Sequence, residues 1–323
     1  MLSKILYELS ILLCNLSCYS DLSIEMNQLL NKNIIEEIHS KNTFFSKWNY
    51  NLNYQIKNFK FKYDYSIIEQ KSNLIKLKFN LIRSFDLKSS IRSYSIDEYI
   101  LIIEYIGENL KIHYLILKEE NPIIYEEILK FSLDNINKLN FNKNEYFWAE
   151  KLDILTSIQN NFINFKSNQS SINYKRYSKF NIDKARIYAE KYSLISNPEY
   201  KTFEGNGGDC TNFVSQIIHA GGINKTNTWK PYSNSWIRVE EFYSYLIYNN
   251  IGSKIPDGSP LSIGSIIQFY TPKLGRFFHT GFITYNIDNS DYLYCCHSYN
   301  KLNYPLSAIY PIIYPKLRAI RIN

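Results

Sequence analysis

The chain is poor in glycine, proline and cysteine, with 11 Gly, 9 Pro and 5 Cys among its 323 residues. So few glycines and prolines exclude a collagen-like chain and a flexible low-complexity chain. The five cysteines, at positions 14, 18, 210, 295 and 296, are odd in number and include no C-x-x-C pair. The sequence therefore predicts neither a disulfide framework nor a four-cysteine zinc site.

Long apolar runs and blocks of like charge are also missing. No stretch of 18 apolar residues occurs, which predicts that the chain has no transmembrane helix. The formal net charge of +7 is spread along the chain, and no five like charges stand together. Nucleic-acid binding is therefore not predicted. Such a charge favours solubility, and its weak positive field would also favour anionic polymers such as bacterial wall material.

The chain does contain enough apolar material for packed cores, since 45% of its residues are hydrophobic. Its length fits two domains. We predict an N-terminal accessory domain over residues 1–165, a linker over 166–175 and a C-terminal domain over 176–323. The linker is placed on the polar, serine-rich run KSNQSSINYK, which interrupts the periodic patterns on either side.

The N-terminal domain is predicted to be a smaller α+β domain with a curved antiparallel sheet. Helical spacing of apolar residues over 29–38 precedes strand-like runs over 58–68 and 74–85. Residues 97–118 have the clearest hairpin pattern, two β-rich runs around Gly107-Glu108-Asn109. This order resembles, by pattern alone, cone-shaped α+β domains. A spacer or dimerisation module is the simplest role, and ligand binding is the alternative.

The first residues allow two interpretations. Ile5, Leu9, Leu12, Leu13 and Leu16 have the spacing of an amphipathic helix. The alternative is a secretory signal peptide, but Glu8 interrupts a short apolar run. Localisation stays open between a secreted or cell-envelope location and the cytoplasm, which the weak leader favours.

The C-terminal domain is predicted to be α+β, with helices first and an antiparallel sheet after them. Helices are expected over residues 182–192, 210–220 and 236–248. Strands are expected over 265–270, 280–285, 292–297 and 317–322.

Cys210 is the strongest candidate for a nucleophile. It follows a glycine loop in the segment GNGGDCTNFVSQIIHAGG and opens the predicted helix, with Asp209 as a suitable N-cap residue. The N–H groups of a helix N-terminus favour a thiolate and can hold a developing oxyanion. The glycines would let a substrate approach the sulfur closely.

A cysteine nucleophile needs a base, usually histidine. Of the five histidines, His279 and His297 lie on strands that follow the helix. Antiparallel pairing about a loop centred near residue 288 places residues whose numbers sum to 576 opposite each other. His279 and His297 would then be direct neighbours on one face of the sheet.

Several segments share a pattern with a known family: GGDCTNFVSQ, Asn197-Pro198-x-Tyr200, Ala220-Gly221-Gly222, Trp229, Ser235-Trp236 and the segments around His279 and His297. Together they resemble the putative amidase domain of Gram-positive bacteria. That family looks like a branch of the papain-like cysteine amidases and peptidases, related to CHAP-type enzymes that cut cell-wall peptide.

The resemblance implies a papain-like fold, Cys210 as nucleophile and His279 as general base. A polar residue that orients the base would be His297, or Asn300 as the other candidate. Substrate contacts are predicted at Gly208, Asp209, Asn212, Trp229, Ser235 and Trp236. Core packing is the alternative for the two tryptophans.

No cofactor is predicted. A zinc site at Cys295-Cys296-His297 is the rival interpretation, but adjacent residues on a strand point to opposite faces and chelate one ion poorly.

The predicted function is that of a cysteine amidohydrolase or peptidase that cleaves cell-wall peptide or another peptide through a thioester. A transpeptidase or acyltransferase using the same thioester is the first alternative. A non-catalytic peptide-binding or wall-binding module is the second.

Overall fold

The computed structural model describes residues 1–14, 29–52, 56–87, 90–107, 109–138, 147–167, 180–204, 208–287 and 291–323. The chain divides into two compact units. The first comprises Met1–Phe85 and Ser95–Ser157, and the second comprises Asp86–Tyr94 and Ile158–Asn323. Most of the predicted linker, residues 168–175, lies outside the described residues, so its position remains a prediction.

The first unit is α+β, as predicted. Its strands β1 to β4 are neighbours in chain order, and β3 and β4 form the expected antiparallel hairpin from Tyr99↔Leu117 to Ile106↔Asn109. Gly107 turns the hairpin with φ +62°. The elements are α1 (Leu2–Cys14), α2 (Lys32–Asn51), β1 (Lys57–Lys71), β2 (Leu74–Asp86), β3 (Arg92–Ile106), β4 (Asn109–Leu117), α3 (Pro122–Lys130) and α4 (Phe147–Asp153).

The apolar face of α1 is part of the first unit's core. Ile5, Leu6, Leu9 and Leu13 are buried and belong to one cluster with side chains of the sheet such as Phe79. The helical interpretation of the first residues is therefore confirmed for Leu2–Cys14. No helix in the described part of the chain has both the length and the apolar character that a membrane crossing requires.

The second unit is also α+β, with helices that precede an antiparallel sheet. The strand order within the sheet is β9-β8-β7-β6-β10-β5, and each neighbouring pair in this order is antiparallel. The elements are α5 (Leu155–Ser167, which begins in the first unit), α6 (Ile182–Tyr192), α7 (Cys210–Ala220), α8 (Asn234–Ile237), α9 (Val239–Tyr248), β5 (Gly252–Ile255), β6 (Ile266–Thr271), β7 (Arg276–Ile287), β8 (Asp291–Cys296), β9 (Lys301–Pro305) and β10 (Lys316–Ile322).

Helix α7 packs its apolar side on one face of this sheet. Phe213, Val214 and Ile217 are fully buried in a cluster that includes Phe282 of β7 and Cys295 of β8. Since α7 is buried along nearly its whole length, its first turn is held in a constant position relative to β7 and β8. That first turn carries Cys210.

Candidate active site

The thiol of Cys210 lies at the first residue of α7 and against β7. The side chain is 6% exposed, and the backbone N–H of Thr280 in β7 faces the sulfur. The sulfur lies 3.8 Å from the hydroxyl of Thr211, which in turn lies 3.1 Å from the hydroxyl of Thr280. The structure therefore brings the start of α7 to the residue that directly follows His279.

Burial raises the pKa of the Cys210 thiol above its ordinary value. The N–H of Thr280, and then the hydroxyl and N–H of Thr211, act in the opposite direction, while the charge of Asp209 raises the pKa further. The helix N-terminus acts in the expected direction but does not lower the pKa of Cys210 overall, because the cost of desolvating a thiolate outweighs the gain from its donors.

His279 lies on the other face of β7. Side chains alternate along a strand, and the side chain of Thr280 contacts α7, so the imidazole faces Phe269, its cross-strand partner on β6. The ring stacks on Phe269 and lies 5.0 Å from the ring of Tyr299. It is 1% exposed, and its Nε2 atom has no hydrogen-bond partner among the described residues.

The protonation state of His279 follows from these surroundings. Burial, and to a smaller degree the charge of Lys301, lowers the pKa of His279 to about 3. The imidazole is therefore neutral at physiological pH, and a neutral ring offers a lone pair that can take a proton.

The prediction that His279 and His297 are direct cross-strand neighbours is wrong. Strand β7 pairs with β8 as Phe282↔Cys295 and Ile283↔Tyr294, sums of 577 instead of 576. If this register is continued beyond the end of β8, His297 is aligned with Thr280. A shift of one residue moves a side chain to the opposite face, so the two imidazoles lie on different faces.

His297 binds other groups. Its Nδ1 lies 2.7 Å from Oδ2 of Asp209, and its Nε2 lies 2.6 Å from the backbone oxygen of Tyr192. The ring lies parallel to Phe213 at a centroid distance of 3.8 Å. Both ring nitrogens are thus engaged away from His279. Asn300, the other candidate for orienting the base, is half-buried, and its Oδ1 has no hydrogen-bond partner among the described residues.

The residues predicted to contact substrate are mostly buried. Asn212 accepts a hydrogen bond from Nε1 of Trp236 at 2.8 Å and donates one to Oδ1 of Asp209 at 2.8 Å. Trp229 and Trp236 are fully buried, and their ring centroids lie 4.6 Å apart. The two rings therefore pack in the core, as the alternative to a substrate contact predicted. These side chains support the first turn of α7 from within the domain.

The two remaining candidates, Gly208 and Ser235, lie in loops or at a helix start. Gly208 has φ +97°, and a Cβ there would lie 3.0 Å from Oγ of Ser298. Glycine is therefore required by both the backbone conformation and the neighbouring side chain. Ser235 donates a hydrogen bond to the backbone oxygen of Thr228.

Four groups that surround the thiol or its neighbours were not predicted from the sequence: Thr211, Thr280, Ser298 and the backbone oxygen of Tyr192. Thr211 and Thr280 are fully buried hydroxyls. Each directly follows a predicted catalytic residue in the sequence, a repeated pattern that could have indicated them.

The cysteines of the alternative zinc site do not come together. The sulfur of Cys295 lies 3.7 Å from Oδ1 of Asn303, whereas that of Cys296 lies 3.2 Å from the backbone oxygen of Tyr299. Within the described ranges no group of three or more His, Cys, Asp or Glu side chains is placed to hold a metal ion.

These observations define an α+β domain with a buried thiol at the first turn of a helix that packs on an antiparallel sheet. The family model described as "Putative amidase domain" matches residues 179–316 of the chain.

Two curated relatives come from Bacillus subtilis (strain 168), and both carry names that describe them as uncharacterized. YjcM is 32% identical over 156 residues, which cover 45% of this chain and 37% of that protein. YhbB is 34% identical over 106 residues, which cover 29% of this chain and 33% of that protein. The chain thus spans about a third of the length of each relative. No solved structure matches it.

Proposed function

We propose that the second unit is a cysteine-dependent amidase that cleaves an amide bond of a peptide, with bacterial cell-wall peptide as the substrate class. The observation that carries the proposal is the contact between the Cys210 thiol and the N–H of Thr280, the residue next to His279. The match of residues 179–316 to an amidase family supports the reaction class. The relationship of the second unit to papain-like enzymes is part of this proposal.

Attack on the substrate starts from an uncharged pair. The raised pKa of Cys210 and the lowered pKa of His279 mean that the resting site holds a thiol and a neutral imidazole. As the sulfur attacks the carbonyl carbon, the thiol proton passes to a ring nitrogen of His279. This imidazolium then protonates the leaving amine, the C–N bond breaks and a thioester remains on Cys210.

Hydrolysis of the thioester completes the cycle. The neutral imidazole takes a proton from water, the hydroxide attacks the thioester carbonyl, and the sulfur leaves and regains its proton. Transfer to an amine instead of water would require the same residues, so the reaction with added amines distinguishes an amidase from an acyltransferase.

The position of His279 sets a requirement for this mechanism. Strand β8 ends at Cys296, so it leaves the edge of β7 at Thr280 to the thiol. The N–H of Thr280 that faces the sulfur lies in the plane of the sheet, as backbone N–H groups of a strand do. Proton transfer then requires the sulfur and a ring nitrogen of His279 to meet at this edge. The imidazole has to turn towards this edge when substrate binds.

The test incubates the full chain with purified peptidoglycan and with a peptide library, and identifies released amines by mass spectrometry. Wild-type protein should cleave an amide bond and show the mass of an acyl group on Cys210 when the reaction is quenched early. Cys210→Ala should abolish turnover, and Cys14→Ser, a matched change in the first unit, should leave it unchanged. Activity should survive EDTA.

A result without turnover or acyl adduct on any of these substrates would refute the amidase proposal and favour the non-catalytic binding module. A measured loss of at least about 10²-fold in His279→Ala, the usual contribution of a positioned base, is also expected.

A further inference from the structure

We propose that His297 and Asp209 form a positioning pair for Cys210, in which His297 neutralises the Asp209 carboxylate next to the thiol and clamps the first turn of α7. The inference rests on the proposed role of Cys210 as nucleophile. It replaces the predicted role of His297 in orienting His279.

The hydrogen-bond partners of His297 determine where its ring carries hydrogen atoms. A backbone oxygen only accepts, so the contact with Tyr192 requires a hydrogen on Nε2. The contact between Nδ1 and Asp209 contains one further proton, on the ring or on the carboxyl group. In both cases the pair is neutral overall, and His297 has no free nitrogen left for His279 or Cys210.

The carboxylate of Asp209 is fixed on every side. Oδ1 accepts hydrogen bonds from the N–H of Phe203 at 3.0 Å and from Nδ2 of Asn212 at 2.8 Å. Oδ2 bonds to His297, and the N–H of Asp209 itself donates to Oγ of Ser298 at 2.7 Å. Although Asp209 stands at the N-cap position of α7, its side chain caps no N–H of that helix. The carboxylate serves the contact with His297 instead.

The ring of His297 also contacts the helix directly. It lies flat on Phe213, at an interplanar angle of 4°, and Phe213 is one turn after Asp209 in α7. His297 therefore touches α7 both through the carboxylate before Cys210 and through the aromatic ring after it. The contact with Tyr192, the last residue of α6, joins this clamp to the neighbouring helix.

Charge connects this clamp to the thiol. The side chains of the pair are 3% and 1% exposed, so water does not screen them effectively. The Asp209 charge acts directly on the Cys210 thiol and raises its pKa. The titratable groups around the thiol come from three parts of the domain: Asp209 before α7, His279 on β7 and His297 after β8. Loss of His297 would leave the carboxylate as an uncompensated charge next to the sulfur.

The test measures alkylation of the full chain by iodoacetamide between pH 6 and 10, with Cys210 followed in its own peptide by mass spectrometry. His297→Gln should slow alkylation of Cys210 at pH 7.5 by about tenfold, the change that one pKa unit of the thiol makes. The double variant Asp209→Asn/His297→Gln should be alkylated at least as fast as wild type, as in Asp209→Asn alone, because the carboxylate is gone. His219→Gln, at the other end of α7, is the matched control and should leave the profile unchanged.

A second variant keeps the test decisive if His297→Gln does not fold. Asp209→Asn preserves the shape of the pair, since the amide can donate to Nδ1 of a neutral His297 and accept at Oδ1. It should shift the alkylation profile of Cys210 to lower pH while the melting temperature changes little. An unchanged or slower profile in Asp209→Asn, or equal slowing in the single and double variants, would overturn the inference.

The readout is independent of turnover. A shifted profile without amidase activity on any substrate would support the positioning pair and refute the proposed function. Normal amidase activity in His297→Gln, with an unshifted profile, would refute the positioning pair and leave the proposed function intact.

Discussion

The reactivity of Cys210 is decided by two opposing effects at one atom. Burial disfavours the thiolate, and the N–H groups of Thr280 and Thr211 favour it. Because burial is the larger effect, the resting sulfur is protonated. A substrate that displaces the covering groups or adds donors would shift this balance, so reactivity should increase on binding.

The pH dependence of alkylation follows from the direction of this shift. Since burial raises the pKa of Cys210 above its ordinary value, the thiolate fraction should rise about tenfold per pH unit through the neutral range. We expect the rate of iodoacetamide labelling at Cys210 to keep rising up to pH 9, while that of free cysteine levels off near its pKa of about 8.5. A plateau for Cys210 below pH 8 would contradict the buried, protonated thiol.

His279 should make the protein sensitive to acid. Its pKa is about 3 in the folded protein and about 6.5 when unfolded. Between these values the unfolded chain binds a proton that the folded chain does not, so folded stability falls as pH decreases from 6.5 towards 3. The loss approaches about 1.4 kcal/mol per pH unit within this window.

Urea-unfolding midpoints between pH 7 and pH 4 measure this effect. His279→Phe, which removes the titrating group and suits the surrounding aromatic rings, should show a smaller loss of stability on acidification than wild type. Cys210→Ala keeps the imidazole and should retain the wild-type slope. Parallel slopes in wild type and His279→Phe would show that His279 is not the group responsible.

At the scale of the elements, α6 and α7 meet at Gly221. A Cβ on Gly221 would lie 2.2 Å from the ring of Phe180, and the N–H of Asn181 donates to the backbone oxygen of Gly221 at 2.7 Å. Asn181 also caps α6 by accepting from the N–H of Lys184. The end of α7 is thus fixed to the start of α6, while its first turn holds the thiol.

Gly221→Ala should therefore destabilise the second unit, by roughly 1–3 kcal/mol as expected for overpacking. Phe180→Ala alone should also destabilise, because it removes a buried ring. The double variant should lose less than the sum of the two single losses, since the clash is gone. Thermal melts of the four proteins check this cycle. Strict additivity would mean that the two residues do not interact.

The helices α6 and α7 begin and end where the sequence predicts. Residues such as Asn181, Asp209 and Gly221 mark helix ends in the sequence itself. Strands β5 and β9 escaped prediction because they are short and partly polar, with sequences GSKI and KLNYP. Nothing in so short a segment separates a strand from a loop before its partners are known.

The geometry around the histidines was predictable only in part. That Cys210 and the segment of His279 come together follows from the predicted elements. Their register does not, because β7 extends to Ile287 and a bulge at Ile283/Tyr285 shifts the pairing with β8 by one residue. No period in the sequence encodes such a bulge, and one residue decides which face carries His297.

For the whole molecule, the first unit holds several buried ion pairs of its own. Lys76 binds Glu69 at 2.8 Å with its side chain 3% exposed, and Arg83 binds Asp97. A unit with its own core and its own buried polar contacts has the features of an independently folded domain. Its predicted roles as a spacer, dimerisation module or ligand-binding domain remain predictions.

Limited proteolysis tests the predicted division of the chain. The polar linker predicts that trypsin cuts at Lys175 first, and that a stable C-terminal fragment accumulates. Intact-mass spectrometry identifies the fragment boundaries. First cuts between residues 200 and 280, without a stable fragment, would show that the domain boundary is misplaced.

The covered sulfur of Cys210 also affects how the protein withstands oxidation. Peroxide reacts with thiolates, and exposed cysteines of low pKa are the first to form sulfenic acid. A thiol that is 6% exposed and protonated at rest belongs to the opposite group. Cys210 should therefore outlast contact with air and dilute hydrogen peroxide, and under the proposed mechanism it should become vulnerable to oxidants only when a substrate opens the site.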